Sequence, residues 1–225
     1  MTVGKGWKED VQRHGWTRVL LGRAAWRLEK HLGIHIYRIG ERSLESYATT
    51  FECPPDIRVT LLSDEDLIAA SQIPDLDLSP GFVAGAIARE DVAVGSFKNG
   101  ELACYVFATT EAAPHDRDFW VRVRPPYRYT YKAFTLPAYR GQGLSSYVNN
   151  LPERNKAFER RGCTKAIFFV AAWNLSSLKF LSKIEGAPWL GFALTAKVFG
   201  RRVALRTARV RKTGFEFIAP PDALH

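Results

Sequence analysis

The sequence has few cysteines and no long apolar run, and each absence excludes a class of protein. Its three cysteines, Cys53, Cys104 and Cys163, are odd in number, far apart and form no Cys-x-x-Cys pair. They therefore exclude a disulfide scaffold and a cysteine zinc site, and they suit a reducing compartment. The longest apolar run, residues 166–173, is too short to cross a bilayer, and the first ten residues lack the apolar segment of a signal peptide. We therefore expect a cytoplasmic protein.

The net charge of +9 is unevenly distributed along the 225 residues. Residues 1–126 hold 15 Lys and Arg against 18 Asp and Glu, whereas residues 127–225 hold 17 against 5. With 46% hydrophobic and 24% charged residues, the composition is that of a globular chain rather than a disordered one. A basic half is typical of a surface that faces phosphates, on nucleic acid or on a small ligand, but a solvated basic face has the same composition.

Residues 1–56 are predicted to form a helical N-terminal extension to a domain over residues 57–225. Within the extension, apolar residues recur at helical spacing over residues 6–32. Over residues 34–39 they alternate with polar ones, as in a short strand. We expect the apolar stripe of this helix to pack on the larger domain. The presence of Trp, Arg and Lys leaves two alternatives, an anionic membrane surface and a second subunit in a homodimer. The stripe consists of Trp16, Leu20, Ala24, Leu28 and Leu32.

From residue 57 the pattern changes to a close succession of strands and helices. Ser63 precedes a run of acids and predicts the start of a helix, and Asn99-Gly100 predicts a tight hairpin turn. Pro152 is expected to kink or split a helix over residues 143–161. The other predicted elements are strands at 57–62, 92–97, 101–110, 127–136 and 165–172, helices at 79–90 and 174–185, and closing strands near 189–199 and 202–210.

A strand followed by a glycine-rich turn, within residues 131–148, carries the clearest chemical signal. After Pro137 the sequence YRGQGLS, residues 139–145, leads into an amphipathic helix. Its two glycines let the backbone turn tightly with N–H groups pointing inward, and a helix start adds a positive dipole end. Arg140 adds a forked donor for phosphate oxygens. The pattern predicts an anion cradle, although a plain strand–turn–helix connection can contain the same residues.

In this order of elements the sequence resembles the GNAT superfamily of N-acyltransferases. The family signature, Arg/Gln-x-x-Gly-x-Gly/Ala after a strand, is matched by LPAYRGQGLS at Arg140 and Gly143, with Ser145 in the last position. The resemblance covers residues 57–210 in element order. It implies a mixed α/β fold whose sheet is mostly antiparallel and flanked by helices, and an acyl donor such as acetyl-CoA or another acyl-CoA.

The resemblance also implies a donor site. Backbone N–H groups around Phe134–Leu136 would bind the thioester oxygen, and residues 140–145 would bind the pyrophosphate of coenzyme A. Asn174 would orient the pantetheine arm or the thioester. The family's tyrosine, which protonates the departing thiolate, would fall on Leu181, and the glycine that follows it near Gly186. The implied donor-site residues are Phe134, Leu136, Arg140, Gly141, Gln142, Gly143, Leu144, Ser145, Asn174 and Ser177.

The group that would deprotonate an acceptor amine is not evident. The strands at 127–136 and 165–172 contain no carboxylate, which leaves Tyr129 and Tyr131 as the nearest polar side chains. A role in core packing is at least as good an interpretation of both tyrosines as a catalytic one. His115 lies in a variable region before them, where an exposed loop position is favoured over catalysis.

Metal and nucleic acid are both disfavoured as partners. His31 and His35 have the spacing of a helical metal pair, but Gly33 interrupts the helix and no third ligand is evident, so we expect no metal. Residues 201–212 alternate basic and small apolar residues without interleaved aromatics, which is typical of a closing strand with a solvated edge rather than an RNA-binding one.

These observations lead to one main hypothesis and two alternatives. The main hypothesis is an N-acyltransferase that moves an acetyl or other acyl group from acyl-CoA to a primary amine on a small molecule or a peptide. The first alternative is a GNAT-like module that binds acyl-CoA without catalysis, because the usual tyrosine and carboxylate are missing. The second alternative is a basic RNA-associated protein.

Overall fold

The computed structural model describes residues 7–45, 52–182 and 189–221. The helices are α1 (Trp7–His14), α2 (Trp16–Leu32), α3 (Asp64–Ala70), α4 (Pro80–Ala88), α5 (Leu144–Asn150), α6 (Pro152–Glu159), α7 (Leu175–Leu181) and α8 (Ala208–Lys212). The strands are β1 (His35–Ser43), β2 (Ile57–Leu61), β3 (Val92–Lys98), β4 (Glu101–Thr109), β5 (Ala113–Pro114), β6 (Trp120–Arg122), β7 (Tyr127–Thr135), β8 (Lys165–Ala171), β9 (Trp189–Val198), β10 (Arg201–Arg206) and β11 (Glu216–Ile218).

Most of the strands form one large sheet in the order β10-β9-β1-β8-β7-β4-β3-β2. Neighbours in this sheet are antiparallel except for β7 and β8, which run parallel. A small second sheet has the order β11-β6-β5. The expected mixed α/β architecture, with a mostly antiparallel sheet flanked by helices, is confirmed.

Several residues form the local structures that the sequence predicts for them. The Ser63 hydroxyl accepts a hydrogen bond from the N–H of Asp66, and the Asp66 carboxylate accepts one from the N–H of Ser63, so a capping box begins α3. Asn99 and Gly100 both have positive φ, at 54° and 80°, as a primed turn between β3 and β4 requires. Pro152 begins α6 and separates it from α5, because a proline inside a helix removes a backbone donor.

The N-terminal segment is less separate than its sequence suggests. A break at Gly15, where φ is 82°, divides the predicted helix over residues 6–32 into α1 and α2. β1 then pairs with β8 on one side and with β9 on the other. The boundary expected at residue 56 therefore falls between two strands of the same sheet.

The orientation of α2 corrects the expectation that its apolar stripe, with one residue in every four, packs on the domain. Val19, Gly22 and Ala25 are the buried residues of this helix. Trp16 and Leu20 of the stripe are instead largely exposed. The physical reason is that the small residues at positions 22 and 25 allow a close approach to the neighbouring elements, which the larger stripe residues would prevent.

The C-terminal part of the chain differs from the expectation in its last strand. The closing strand predicted near residues 202–210 ends at Arg206, and α8 follows it, with Val210 buried. Gly186 lies outside the described residues, as do the last residues of the helix predicted at 174–185. Within the described part of the chain, no helix has both the length and the apolar character needed to span a membrane.

The core lies on both faces of the large sheet, because successive residues of a strand point to opposite faces. On one face, Tyr105 and Phe107 of β4 pack in a cluster with Leu67 of α3 and Val83 of α4. On the other face, residues of β3 and β4 pack against α5, including its residue Leu144. The sheet is therefore covered on both sides at β4.

Candidate functional site

The two parallel strands of the large sheet separate partway along their length. β7 and β8 pair only at Tyr127 with Lys165, Arg128 with Ala166 and Tyr129 with Ile167. β7 then continues to Thr135 and β8 to Ala171 without further pairing between them. Because the strands are parallel, their unpaired ends diverge at the same edge of the sheet. We call the space between these ends the opening.

A bulge in β7 lies beside the opening. Phe107 of β4 is opposite Tyr131, and Tyr105 is opposite Phe134, so that two residues of β7 oppose a single residue of β4 between these pairs. Lys132, one of these two, has a φ of 49°, and its ammonium lies 2.7 Å from an Asp77 carboxylate oxygen. A bulge bends its strand and re-aims the groups that follow it. It occurs here just where β7 leaves β8.

The backbone of β7 beyond the bulge corrects one predicted donor. The N–H of Leu136 donates to the carbonyl of Ala103, with N and O 2.9 Å apart, so this N–H is not free to bind a thioester oxygen. Because backbone groups alternate along an antiparallel ladder, the neighbouring Thr135 turns its N–H and C=O away from β4, towards the opening. The Thr135 carbonyl accepts a hydrogen bond from Nε of Arg140 at 3.1 Å. The expected range Phe134–Leu136 contains Thr135, but which of its N–H groups is open depends on the register with β4, which the sequence does not specify.

Phe134 is a wall of the site rather than one of its donors. Its ring stacks on that of Tyr105, with centroids 5.5 Å apart and planes at 23°. Its pairing opposite Tyr105 also places its backbone towards β4 by the same alternation. Of residues 134–136, Thr135 is therefore the one whose backbone groups face the opening.

The turn after β7 has the geometry of an anion cradle. Gly141 and Gly143 have φ of 82° and 78°, and a Cβ built on either would meet no atom within 4 Å. Among the described residues, the N–H groups of residues 141–145 have no hydrogen-bond acceptor. The side chain of Leu144 is buried under β3 and β4 and anchors the turn to the sheet. Successive unpaired N–H groups of this kind form a concave site for anions.

Side chains around the cradle add positive charge and fix its shape. The Gln142 carbonyl accepts a hydrogen bond from the Lys98 ammonium at 2.8 Å, and its amide donates to the carbonyl of Ala138 at 3.3 Å. Arg140 is exposed and uses only Nε within the part of the chain that the structure describes. Its terminal nitrogens therefore remain able to donate to a phosphate. Ser145 is half-buried, with its carbonyl bonded to Asn149.

Asn174 lies at the far wall of the opening, directly after β8. Its side-chain oxygen accepts a hydrogen bond from the N–H of Ser177 at 3.2 Å and so caps α7. Its own N–H donates to the carbonyl of Ala171 at 2.9 Å, which holds it against the end of β8. Leu181, where the resemblance would place a tyrosine, is the last residue of α7.

Tyr129 and Tyr131 fill the base of the opening. Tyr129 lies between Tyr131 and Phe169, with ring centroids 5.3 Å and 5.7 Å away. Burial is the main reason that the pKa of both phenols is raised above the ordinary value, so both stay protonated at neutral pH. The Tyr131 hydroxyl donates to a carboxylate oxygen of Asp91 at 2.5 Å and accepts from Arg89 at 3.1 Å.

Asp91 is a carboxylate that the sequence did not connect with this site. Its side chain is fully buried, and Arg89 pairs with its Oδ2 at 2.7 Å. Among the described residues its other oxygen, Oδ1, has no hydrogen-bond partner. The residue lies just before β3 in sequence, and only the sheet order brings it close to Tyr131. No sequence spacing would have indicated this.

His115 is a second group whose position near this site the sequence did not predict. The expectation of an exposed loop position is wrong, because the side chain is only 21% exposed and its Nε2 lies 2.7 Å from the Tyr37 hydroxyl. The ring meets that of Phe169 edge-on, with centroids 4.9 Å apart. Burial lowers the pKa of His115 to about 4, so the imidazole is neutral at pH 7. The small sheet holds this loop against β1 and β8, which the local sequence does not indicate.

A search of the described residues for metal ligands finds no cluster of three or more His, Cys, Asp or Glu side chains. His35 is instead 3.5 Å from Glu29, and its ring stacks on that of Tyr37 at 6.3 Å. His31 is an exposed residue of α2. Among the described residues, neither histidine therefore belongs to a set of three possible ligands.

Comparison with known proteins gives matches among solved structures alone. No family model and no curated protein sequence matches the chain. The chain is similar to solved GNAT proteins. A GCN5-related N-acetyltransferase-like protein from Streptococcus suis matches at 14% identity and a TM-score of 0.49, over 81% of this chain and 67% of that one. A GCN5-related N-acetyltransferase from Kribbella flavida matches at 16% identity and a TM-score of 0.41, over 89% and 65%.

A tandem GNAT protein from the clavulanic acid biosynthesis pathway matches at 14% identity and a TM-score of 0.48, over 78% of this chain and 58% of that one. In several matches the chain spans less than two thirds of the solved chain, and in one it spans half.

Proposed function

We propose that the protein is a GNAT-type acyltransferase that moves an acyl group from acyl-CoA to a primary amine. The observation that supports this most is the combination of the opening between β7 and β8 with the anion cradle directly after β7. An acyl-CoA has an extended pantetheine arm with amide groups and, beyond it, a pyrophosphate. The site offers an unpaired strand edge for amides and unpaired N–H groups for phosphate, in the same order.

The donor would lie along β7. In this proposal the pantetheine arm runs along the open edge of β7 beside Thr135, as an added strand would. The pyrophosphate is held by the N–H groups of residues 141–145 and by Arg140. Asn174, with Ser177 behind it, borders the arm from the β8 side. The excess of basic residues in 127–225 favours such a polyanionic donor over a neutral one.

The reaction needs three things from the protein. The amine nitrogen attacks the thioester carbonyl, negative charge develops on the carbonyl oxygen, and the carbon–sulfur bond breaks to release a thiolate. An N–H group at the edge of the opening, as on Thr135, can stabilise the charged oxygen. The protonated phenol of Tyr129 can donate a hydrogen bond to the departing sulfur. A primary alkylamine, with a pKa of about 10.4, must release one proton before it attacks and a second as the amide forms. Neutral His115, beside Phe169, is the proposed acceptor of the first proton, and the departing thiolate takes up the second.

A second function is favoured by one observation, the leucine at position 181 where the resemblance places a proton donor. On this alternative the fold binds acyl-CoA and does not react. Calorimetric titration with acetyl-CoA, followed by a thiol-release assay over a panel of primary amines, distinguishes the two. Binding with amine-dependent thiol release supports the transferase. Binding without release for any amine supports the non-catalytic module, and absence of binding refutes both.

A further inference from the structure

One face of α2 is mostly apolar, exposed and unpartnered within the described residues. Trp16, Leu20 and Leu21 are 63%, 51% and 72% exposed. On a helix of 3.6 residues per turn these three side chains share one side with Ala24 and Arg27. We call these five residues the outward face of α2. Three large apolar side chains exposed side by side indicate a face that has a binding partner.

The outward face cannot be turned inwards by a small rotation of the helix. The opposite side of α2 is fixed against the sheet and α7, and a Cβ added to Gly22 would lie 3.3 Å from the Leu175 side chain. Glu29 accepts a hydrogen bond from the Trp173 indole at 2.6 Å and lies 3.5 Å from His35. These contacts leave the outward face pointing away from the rest of the protein.

The charges of α2 select the kind of partner. The helix has four basic residues and a single acidic one, Glu29, which is turned inwards. On either side of the apolar residues lie exposed cations, such as Arg18 on one flank and Lys30 on the other. Lys30 lies over the Trp26 ring, 4.8 Å from its centroid. An apolar strip between cations, with no acid on the same face, is typical of a helix that lies in an anionic lipid interface.

A second copy of the chain fits this face less well. In a symmetric dimer the same patch meets itself, so Arg27 and the flanking cations of each copy would approach those of the other. No acidic residue of the outward face would compensate for this repulsion. An anionic membrane compensates for the cations and covers the tryptophan and leucines at once.

We propose that the protein docks on anionic membranes through the outward face of α2, which lies parallel to the lipid surface. Trp16, Leu20 and Leu21 enter the boundary between headgroups and acyl chains, and the cations meet lipid phosphates. The inference is independent of the acyltransferase proposal. If both hold, the acceptor amine belongs to a molecule at the membrane surface.

Vesicle co-sedimentation of the full chain tests the docking. We expect binding to vesicles of phosphatidylglycerol and phosphatidylcholine, and little binding to phosphatidylcholine alone. The double variant Trp16→Ser and Leu20→Ser should lower the partition coefficient between vesicles and water about tenfold or more. The reason is that two apolar side chains that would enter the lipid are removed. The matched control is Ile68→Ser with Ile73→Ser, which removes two apolar residues of similar exposure, 54% and 46%, from outside α2. This control should bind as the unaltered chain does.

A second variant keeps the apolar residues and changes only the charge. Arg18→Glu with Arg27→Glu should reduce binding to anionic vesicles by about tenfold or more and make the remaining binding insensitive to salt. Melting temperatures close to that of the unaltered chain show that each variant is folded. Absence of binding to anionic vesicles, or unchanged binding by both α2 variants, would overturn the proposal. So would a dimer in sedimentation analysis that Trp16→Ser and Leu20→Ser dissociates, without any lipid binding.

Discussion

Replacing Gly143 with alanine should weaken acetyl-CoA binding far more than it destabilises the fold. Gly143 has a φ of 78°, and a Cβ there meets no protein atom within 4 Å. The donor proposal assigns this open space to the pyrophosphate. Left-handed backbone costs a non-glycine residue roughly 1–2 kcal/mol, which lowers the melting temperature by about 2–8 °C in a chain of this size. This strain lowers the stability of the fold and does not by itself change the affinity for acetyl-CoA.

The loss of binding follows from the hydrogen bonds that the new methyl group prevents. A hydrogen bond to a charged group contributes about 1.5–3 kcal/mol, so displacing one phosphate oxygen from the cradle should raise the Kd for acetyl-CoA about 10- to 150-fold. Calorimetric titration measures this change, and differential scanning calorimetry measures the melting temperature of the same preparation.

Gly162 provides a matched control in the same chain. Its φ is 79° and its Cβ position is also open, but it follows α6, at the end of the sheet where β8 begins. Gly162→Ala should therefore lose a similar amount of stability and keep its affinity for acetyl-CoA. If Gly143→Ala binds acetyl-CoA as tightly as Gly162→Ala does, the cradle is not the pyrophosphate site and the donor proposal is wrong.

Three further predictions concern other parts of the site and the sheet. Since the folded-state pKa of His115 is about 4, below its ordinary value of 6.5, the unfolded chain binds a proton between these values that the folded chain does not. Stability should therefore fall as the pH drops from 6.5 towards 4, by at most about 3 kcal/mol, and urea denaturation of His115→Gln should lack this part of the pH dependence. Asn174→Ala should cost about 1 kcal/mol of stability through the lost cap, whereas Asn174→Ser should keep it; a donor affinity lowered in both variants shows a role beyond capping. Gly40→Ala, whose Cβ would lie 2.6 Å from the Phe168 ring, should cost roughly 1–3 kcal/mol by overpacking between β1 and β8; an unchanged melting temperature would contradict that packing.

Features encoded by short stretches of sequence were predictable. The hairpin at Asn99-Gly100, the cap at Ser63 and the division at Pro152 all follow from what one or two residues permit of their own backbone. The strand, the glycine turn and the helix around Gly143 were predictable for the same reason, because a left-handed residue in that turn needs glycine.

Features that depend on distant pairing were not predictable. His115 and Asp91 reach the site only because β1, β4 and the small sheet bring separate segments together. The backbone groups that face the opening are those of Thr135 and not those of Leu136. This depends on a bulge and on the register with β4, which local sequence does not specify. The side of α2 that packs on the sheet was also not predictable, because small residues and not the large apolar ones face the sheet.

The position of β1 has a consequence for how the chain reaches this fold. β1 is synthesised long before β8 and β9, the two strands between which it lies. Until both have left the ribosome, β1 has two unsatisfied edges and the sheet is divided into two halves. Contacts of such large sequence separation slow folding, because a long loop must close before any of them forms. During this interval an unpaired β1 from one copy can insert between β8 and β9 of another, so an exchange of N-terminal arms is the misassembly to which this topology is most exposed.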